Sequence, residues 1–246
     1  TAKDHGFINM DIDILDGEKG EKYIEIDKCK LGAGLKKYDS LIVISHFKGH
    51  GMAGFGGAIK NIGMGLGSRA GKLDMHSNVK PYINSSNCIG CGICANHCDT
   101  KAITINNGKA LINNNLCIGC AMCIAVCPHN AASVPWECGT NDYLQKKIAQ
   151  YSKAVLSLFP NPIFINVLKN ITQNCDCIEF PQKPIIDDIG ILYSNNIVAI
   201  DQASLDLVNH SSHNKFNRIN TVNKENQLKF ATENGLGKTE YQLIKY

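Results

Sequence analysis

The stretch SNCIGCGICANHCD (Ser86–Asp99) returns in nearly the same form as NLCIGCAMCIAVCPH (Asn115–His129). Each copy contains four cysteines in the spacing C-x2-C-x2-C-x3-C, and Cys117 follows its counterpart Cys88 by 29 residues. The same offset matches glycines, alanines and apolar residues around the cysteines. The repeat therefore predicts an internal duplication of one small structural unit.

Three closely spaced cysteines followed by a fourth are typical of bacterial ferredoxins, in which the fourth cysteine binds the other of two [4Fe-4S] clusters. We therefore expect two clusters, each held by three cysteines of one copy and the last cysteine of the other. The predicted ligands are Cys88, Cys91, Cys94 and Cys127 for the first cluster, and Cys117, Cys120, Cys123 and Cys98 for the second. Zinc is the alternative metal, but a zinc site needs two well-separated cysteine pairs rather than one close group of three, repeated.

The residues beside the cysteines carry further signals. The stretch AITINNGKALI (Ala102–Ile112) consists of two alternating runs around Asn107 and Gly108, and this pattern predicts a β-hairpin. Asp99 stands where the second copy has Pro128. A carboxylate at that position is expected to lower the reduction potential of the second cluster, because local charge is one of the factors that set it.

The flanking sequence has α/β character. A short apolar run, SLIVIS (Ser40–Ser45), predicts a buried strand of a parallel sheet. A glycine-rich segment (46–77) follows, and we expect a helix within it near Gly57–Met64, because structureless loops of that length are unusual. Beyond the repeat, the patterns predict a helix over 141–159 with its N-cap at Asn141 or Asp142, a strand over 162–168, a strand leading into a helix over 195–210, a helix over 224–237 and a last strand over 241–246.

These elements predict an α/β domain interrupted by an inserted bacterial ferredoxin-like (α+β) two-cluster module. The insert is expected to span residues 81–137. The α/β domain is then formed by residues 1–80, which include the glycine-rich segment, and by residues 138–246.

Composition narrows the classes of function. The chain has a formal net charge of +3, and charged residues make up 19% of it. This mild balance, without a dense Lys/Arg stripe, argues against nucleic-acid binding. No apolar run approaches the roughly 18 residues that a membrane helix needs. The first residues, TAKDHGF, do not resemble a secretory signal, so we expect a cytoplasmic protein with reduced cysteines.

The glycine-rich segment is a second candidate site, because it begins at the end of a strand, where ligands bind in open α/β sheets. A helix N-terminus near Gly56–Gly57 would also favour an anion. Proton transfer and charge stabilisation are assigned to His46, Lys48, His50, Lys60 and His76. Anion binding is assigned to Lys60, Asn61, Arg69 and Lys72. The alternative is that the basic residues form a solvated face and that the histidines bond within turns.

The stretch SHFKGHGMAGFGGAIKNIGMGLGSRAGKLDMHS (45–77), the two cysteine runs, NCDC (174–177) and AIDQASLDLVN (199–209) together closely resemble the DUF362 family of iron–sulfur proteins. The resemblance implies a ferredoxin-like module inserted in an α/β domain. It also implies that the chain is truncated at its N-terminus, since family members usually carry a further α/β portion there. The family name records an undefined function, so the resemblance implies no particular reaction.

Several single residues have alternative roles. The side chains of Cys175 and Cys177 in NCDC share one face of an extended segment, where they would ligate an additional metal, remain buried thiols or form a redox pair. Asp201 either binds a ligand at a strand end or caps the helix that begins with it. Cys29 and Cys138 are expected to be small core residues.

Clusters of this kind transfer single electrons, so the sequence predicts an electron-transfer protein with redox proteins as donor and acceptor. The alternative is an iron–sulfur-dependent reductase, whose clusters supply electrons to a small anionic substrate or organic cofactor bound within residues 46–76. A regulatory or assembly protein with structural or sensing clusters is a third interpretation. It is disfavoured because a sensor needs only one cluster.

Overall fold

The computed structural model describes residues 4, 6–76, 80–117, 119–134, 140–176, 181–219 and 222–245. Before the cysteine repeat, the chain forms short strands, two α-helices and a 3-10 helix at Ala33–Lys37. In chain order they are β1 (Tyr23–Ile26), β2 (Cys29–Gly32), β3 (Ile42–His46), β4 (Lys48–His50), β5 (Gly54–Gly56), α1 (Ala58–Gly65) and α2 (Arg69–His76). The helix predicted within the glycine-rich segment is confirmed by α1, whereas α2 was not predicted.

Residues 80–134, which we call the cysteine segment, form two two-stranded sheets and two short helices. The predicted hairpin is confirmed: Asn107 and Gly108 connect its strands and both have positive φ angles, as tight hairpin turns require. The elements are β6 (Tyr82–Ile83), α3 (Ile93–Asn96), β7 (Ile103–Asn106), β8 (Lys109–Ile112), α4 (Met122–Val126) and β9 (Ala132–Ser133).

The remaining elements are α5 (Asn141–Leu156), β10 (Ile163–Leu168), β11 (Gly190–Ser194), α6 (Ile197–Ser211), α7 (Lys215–Ile219) and α8 (Glu225–Glu233). The predicted helices at 141–159 and 224–237 and the strand at 162–168 are confirmed within a few residues. The N-cap of α5 is Thr140, one residue before the predicted position, and its hydroxyl accepts a hydrogen bond from the Tyr143 N–H.

Two predictions about the C-terminal part are wrong. The apolar run after Asn196 is helical from its start, because the Asn196 side chain accepts hydrogen bonds from the N–H groups of Val198 and Ala199 and caps α6. A short apolar run fits a buried helix as well as a strand. Residues 241–245 form no strand, whereas β11 is a strand that was not predicted.

One mixed sheet organises the α/β part. β10 lies in its centre, parallel to β3 and antiparallel to β11, and the cysteine segment lies between β3 and β10 in the chain. Val43 is buried with the main core, but its neighbours Ile42 and Ile44 are 63% and 66% exposed. The parallel pairing predicted for β3 is confirmed by β10, whereas the prediction that this strand is buried is wrong, because the described residues cover only one face of the sheet.

The main hydrophobic core lies under the covered face and includes residues of α1, α5, α6 and α8. Helix α1 lies close to α5 because Gly63 has no side chain: a Cβ atom there would lie 2.5 Å from the Ile148 carbonyl oxygen. The cysteine segment has a separate small core around Ile103 and Ala110. Among the described residues, no helix is both long enough and apolar enough to cross a membrane.

Candidate functional site

The two copies of the cysteine segment make the same backbone hydrogen bonds. The Cys88 N–H donates to the Asn84 carbonyl at 3.1 Å, and the equivalent Cys117 N–H donates to the Asn113 carbonyl at 3.0 Å. The strand pairs β6–β9 and β7–β8 are also equivalent under the offset of the repeat. The two copies therefore adopt the same local conformation, as expected of an internal duplication.

Four cysteines line one small pocket, which we call the first cavity. Three of them belong to the first copy, and the fourth is the last cysteine of the second copy. Apolar side chains of the cysteine segment complete much of the wall. The cysteines are Cys88, Cys91, Cys94 and Cys127.

The other four cysteines of the repeat line another small pocket, the second cavity. Here three belong to the second copy and one to the first. The cysteines are Cys117, Cys120, Cys123 and Cys98. The structure thus brings the cysteines together in the same two sets that were assigned from the spacing, and what each set binds stays a prediction.

Backbone N–H groups point at three of these sulfur atoms. Two donors are alanines that follow helices α3 and α4, and the third is an alanine of β8. The hydrogen bonds are Ala102 N–H to Cys98 Sγ at 3.2 Å, Ala131 N–H to Cys127 Sγ at 3.3 Å and Ala110 N–H to Cys88 Sγ at 3.3 Å. Burial raises the pKa of Cys123 to about 12, so a thiolate at this position requires compensating positive charge.

A further metal site was predicted at Cys175 and Cys177. Of these two residues, Cys177 lies outside the described residues. Within the described ranges, no three or more His, Cys, Asp or Glu side chains converge closely enough to hold a single metal ion. Cys29 is buried in the main core, as expected, and burial raises its pKa to about 11. Cys138 is also outside the described residues.

A separate open cleft lies at the carboxyl end of β3 and beside α1. Four of the predicted site residues line it: His46, Lys48, Lys60 and Asn61. The Asn61 side chain is held in place, since its Nδ2 donates to the carbonyl of Ile44 and to the hydroxyl oxygen of Ser45, each at 3.0 Å. The cleft is therefore basic and has at least one fixed polar group.

Asp176 bonds to two basic residues of this cleft. Its Oδ2 lies 2.6 Å from Lys48 Nζ and 3.1 Å from His46 Nδ1. Partial burial opposes ionisation, but these two hydrogen bonds lower the pKa of Asp176. The Nε2 of His46 lies 2.9 Å from the Lys169 carbonyl oxygen. Both ring nitrogens of His46 thus face acceptors, so an imidazolium makes both hydrogen bonds.

Two predicted catalytic histidines do not line the cleft. The Nδ1 of His50 accepts hydrogen bonds from the N–H groups of Met52 and Ala53 at 3.2 and 3.0 Å, and burial lowers the His50 pKa to about 3. The ring is therefore neutral with its proton on Nε2, and it stabilises the turn before β5. Burial and the charge of Lys60 also lower the pKa of His76.

The predicted anion-binding residues are divided between two places. Lys60 and Asn61 line the cleft, but Arg69 does not. The Arg69 guanidinium lies beside the second cavity, where Nε is 3.5 Å from the Cys120 carbonyl oxygen and Nη2 is 3.7 Å from the Met122 sulfur. Lys72 is on the same helix as Arg69 and does not line the cleft.

The N-terminus of α1, which was expected to favour an anion, is occupied by the Asp201 side chain. The Asp201 carboxylate accepts hydrogen bonds from the N–H groups of Ala58 and Ile59 at 2.7 and 2.9 Å, and from Asn166 Nδ2 at 2.8 Å. Asp201 therefore caps α1 and not its own helix, which corrects the prediction. No sequence signal identifies this contact, since about 140 residues separate its partners.

The fold and these sites define a class of mixed α/β protein that combines a duplicated four-cysteine segment with a separate basic cleft. A family model with the description "Domain of unknown function (DUF362)" matches residues 2–206. The chain therefore belongs to the DUF362 family. A comparison with curated proteins found no significant match.

Proposed function

We propose that this chain is an electron-transfer protein that holds two [4Fe-4S] clusters, one in each cysteine-lined cavity. The observation that carries the proposal is the exchange of the fourth cysteine: Cys127 lines the cavity of the first copy, and Cys98 lines that of the second. This exchange is the arrangement by which two-cluster ferredoxins bind their cubanes.

The donor sets fit this group. A [4Fe-4S] cluster binds one thiolate at each of four iron corners, so its ligands surround a cavity instead of meeting at one point. Each cavity offers four thiols, a largely apolar wall and at least one backbone N–H aimed at sulfur. Such donors stabilise the negative charge that thiolates carry.

The position of the two sets supports electron transfer. When bound, such a cluster accepts and releases one electron at a time. Cys94 of the first set and Cys123 of the second belong to the same small core, so the two sites are neighbours. Cys91 is exposed, and a redox partner therefore has access to the first site.

The test is to purify the protein without oxygen and to determine iron, acid-labile sulfide and native mass. We expect two cubanes per chain. Cys127→Ala and Cys98→Ala should each alter the electron paramagnetic resonance (EPR) signal of a different cluster. Cys29→Ala is the matched control, because Cys29 is a buried cysteine of the main core, and this variant should keep both clusters. Fewer than two cubanes in anaerobic protein would contradict the proposal.

A second candidate function is suggested by the cleft at β3. Lys48 and Lys60 present positive groups around it, and such a site attracts a small anionic substrate or an organic cofactor. The chain would then be a reductase in which electrons from the cysteine segment are used at the cleft. Asp176, which now bonds to Lys48 and His46, would have to be displaced or shared by the ligand.

Native mass spectrometry also separates these two functions. A carrier should show the mass of the chain and two cubanes, whereas a reductase should retain an additional small molecule. That molecule should be lost from Lys60→Ala but kept in Lys36→Ala, which removes an exposed lysine that does not line the cleft. If the purified protein shows only the mass of the chain and two cubanes, the result argues against the reductase function.

A further inference from the structure

One hydrogen bond of the first cysteine set has no counterpart in the second set. In the first cavity, the N–H of Ala110 donates to Cys88 Sγ at 3.3 Å. The duplication places Pro81 at the position equivalent to Ala110, just as it places Cys117 opposite Cys88. Proline has no backbone N–H. Among the described residues, no hydrogen bond to Cys117 Sγ is present, although Pro81 and Cys117 line the same cavity.

The strand pairing and the preceding residues are equivalent at the two positions. Tyr82 pairs with Ser133 in β6–β9, as Leu111 pairs with Thr104 in β7–β8. The preceding residues are both lysines, and each ammonium group donates to an equivalent carbonyl. These hydrogen bonds are from Lys109 to Ser85 and from Lys80 to Asn114. The backbone at Pro81 thus follows the course of the backbone at Ala110, and the missing donor results from the residue type.

We propose that Pro81 lowers the reduction potential of the second cluster by withholding an N–H from the Cys117 sulfur. This inference rests on the proposed function. Reduction adds negative charge to the cluster and its thiolates, and a hydrogen-bond donor stabilises that charge. The site without the donor is therefore harder to reduce than the same site with it, and the two clusters become unequal partners in electron transfer.

Other differences between the two sites act independently of Pro81. The Arg69 guanidinium beside Cys120 favours reduction of the second cluster, and the Thr100 hydroxyl lies 3.6 Å from Cys98 Sγ. The exposed carboxylate of Asp99 opposes reduction of the same cluster. The contribution of Pro81 to the reduction potential is therefore measured by substituting this residue alone.

The experiment is an EPR-monitored redox titration of the anaerobic, cluster-loaded full chain. Pro81→Ala and Pro81→Gly each restore an N–H, and both should raise one midpoint potential and leave the other unchanged. The affected potential should belong to the cluster that Cys98→Ala alters. The reverse change, Ala110→Pro, should lower the other midpoint. Deuterium exchange with electron–nuclear double resonance should show a new exchangeable proton near the second cluster of Pro81→Ala.

Pro128→Ala is the matched control. It also restores an N–H beside a cysteine set, but the equivalent Asp99 N–H makes no hydrogen bond within the described residues, so both potentials should stay unchanged. Two intact cubanes with unchanged potentials in both Pro81 variants would overturn the inference and leave the proposed function standing. A chain without two cubanes would overturn both.

Discussion

The fully buried carboxylate of Asp201 connects three parts of the α/β fold. It lies on α6, accepts two hydrogen bonds from the N-terminus of α1, and accepts a third from Asn166 of β10. Burial raises the pKa of Asp201 to about 6, although the three donors favour its ionised form. The N-terminal groups of α1 thus have a partner within the protein, and the cleft beside them must attract a ligand through its side chains.

Asp201→Ala should destabilise the protein strongly. The substitution leaves the N–H groups of Ala58 and Ile59 and the amide of Asn166 without this acceptor in a buried place, and each unsatisfied group costs about 1–3 kcal/mol. We expect a clear fall of the thermal unfolding midpoint, measured on anaerobic protein by circular dichroism. Asp206→Ala is the control, because Asp206 lies on the same helix and is exposed. Equal midpoints for the two variants would refute this role of Asp201.

At the scale of elements, the packing of α1 against α5 positions the cleft, because α1 supplies Lys60 and Asn61 to it. The two helices approach closely at Gly63, where the Ile148 carbonyl and the Ser152 hydroxyl occupy the space that a side chain would need. Ser152 also donates a hydrogen bond to the Ile59 carbonyl at 2.9 Å. A small residue at this contact is therefore required for the arrangement of the cleft.

Gly63→Ala should separate the two helices and destabilise the fold by about 1–3 kcal/mol, the usual cost of overpacking. Gly65→Ala is a matched control on the same helix. A Cβ atom there meets only Asn61 Oδ1, at 3.4 Å, so the change should be neutral or stabilise by up to about 1 kcal/mol. The measurement is the thermal unfolding midpoint of each variant. If Gly63→Ala is as stable as Gly65→Ala, α1 and α5 do not pack closely at Gly63.

At the scale of the whole molecule, the α/β part and the cysteine segment differ in the number and size of the apolar side chains that they bury. The main core contains large buried side chains such as Phe47, Tyr151 and Phe164. The core of the cysteine segment consists of alanines, cysteines and Ile103, with some partly buried neighbours. Segments with so small a core usually need metal ligation or crosslinks for stability.

Removal of the proposed clusters with a chelator should therefore unfold the cysteine segment before the α/β part. Limited proteolysis of the metal-free protein is expected to cut first within residues 80–134, whereas the cluster-loaded protein should resist cleavage there. Mass spectrometry of the fragments locates the first cuts. First cuts within α5 or α6 in the metal-free protein would contradict the expectation.

The sequence predicted those features that depend on neighbouring residues. The turn at Asn107 and Gly108, helix α1 and helix α5 follow from local patterns, and the structure contains all three. A short run of helix and turn keeps the first three cysteines of each copy together. The exchange of the fourth cysteine was predicted from the pattern of two-cluster ferredoxins, and the same two sets line the cavities.

The tertiary structure decided the features that join distant residues. It placed Asp201 at the N-terminus of α1, left Ile42 and Ile44 exposed on an uncovered sheet face, and moved Arg69 from the cleft to the second cavity. The spacing of residues along the chain limits only the local conformation. These contacts depend on how helices and strands that are distant in the sequence pack against each other. The sequence by itself therefore predicted which cysteines line the same cavity, and only packing determined which polar groups surround the cleft and the cavities.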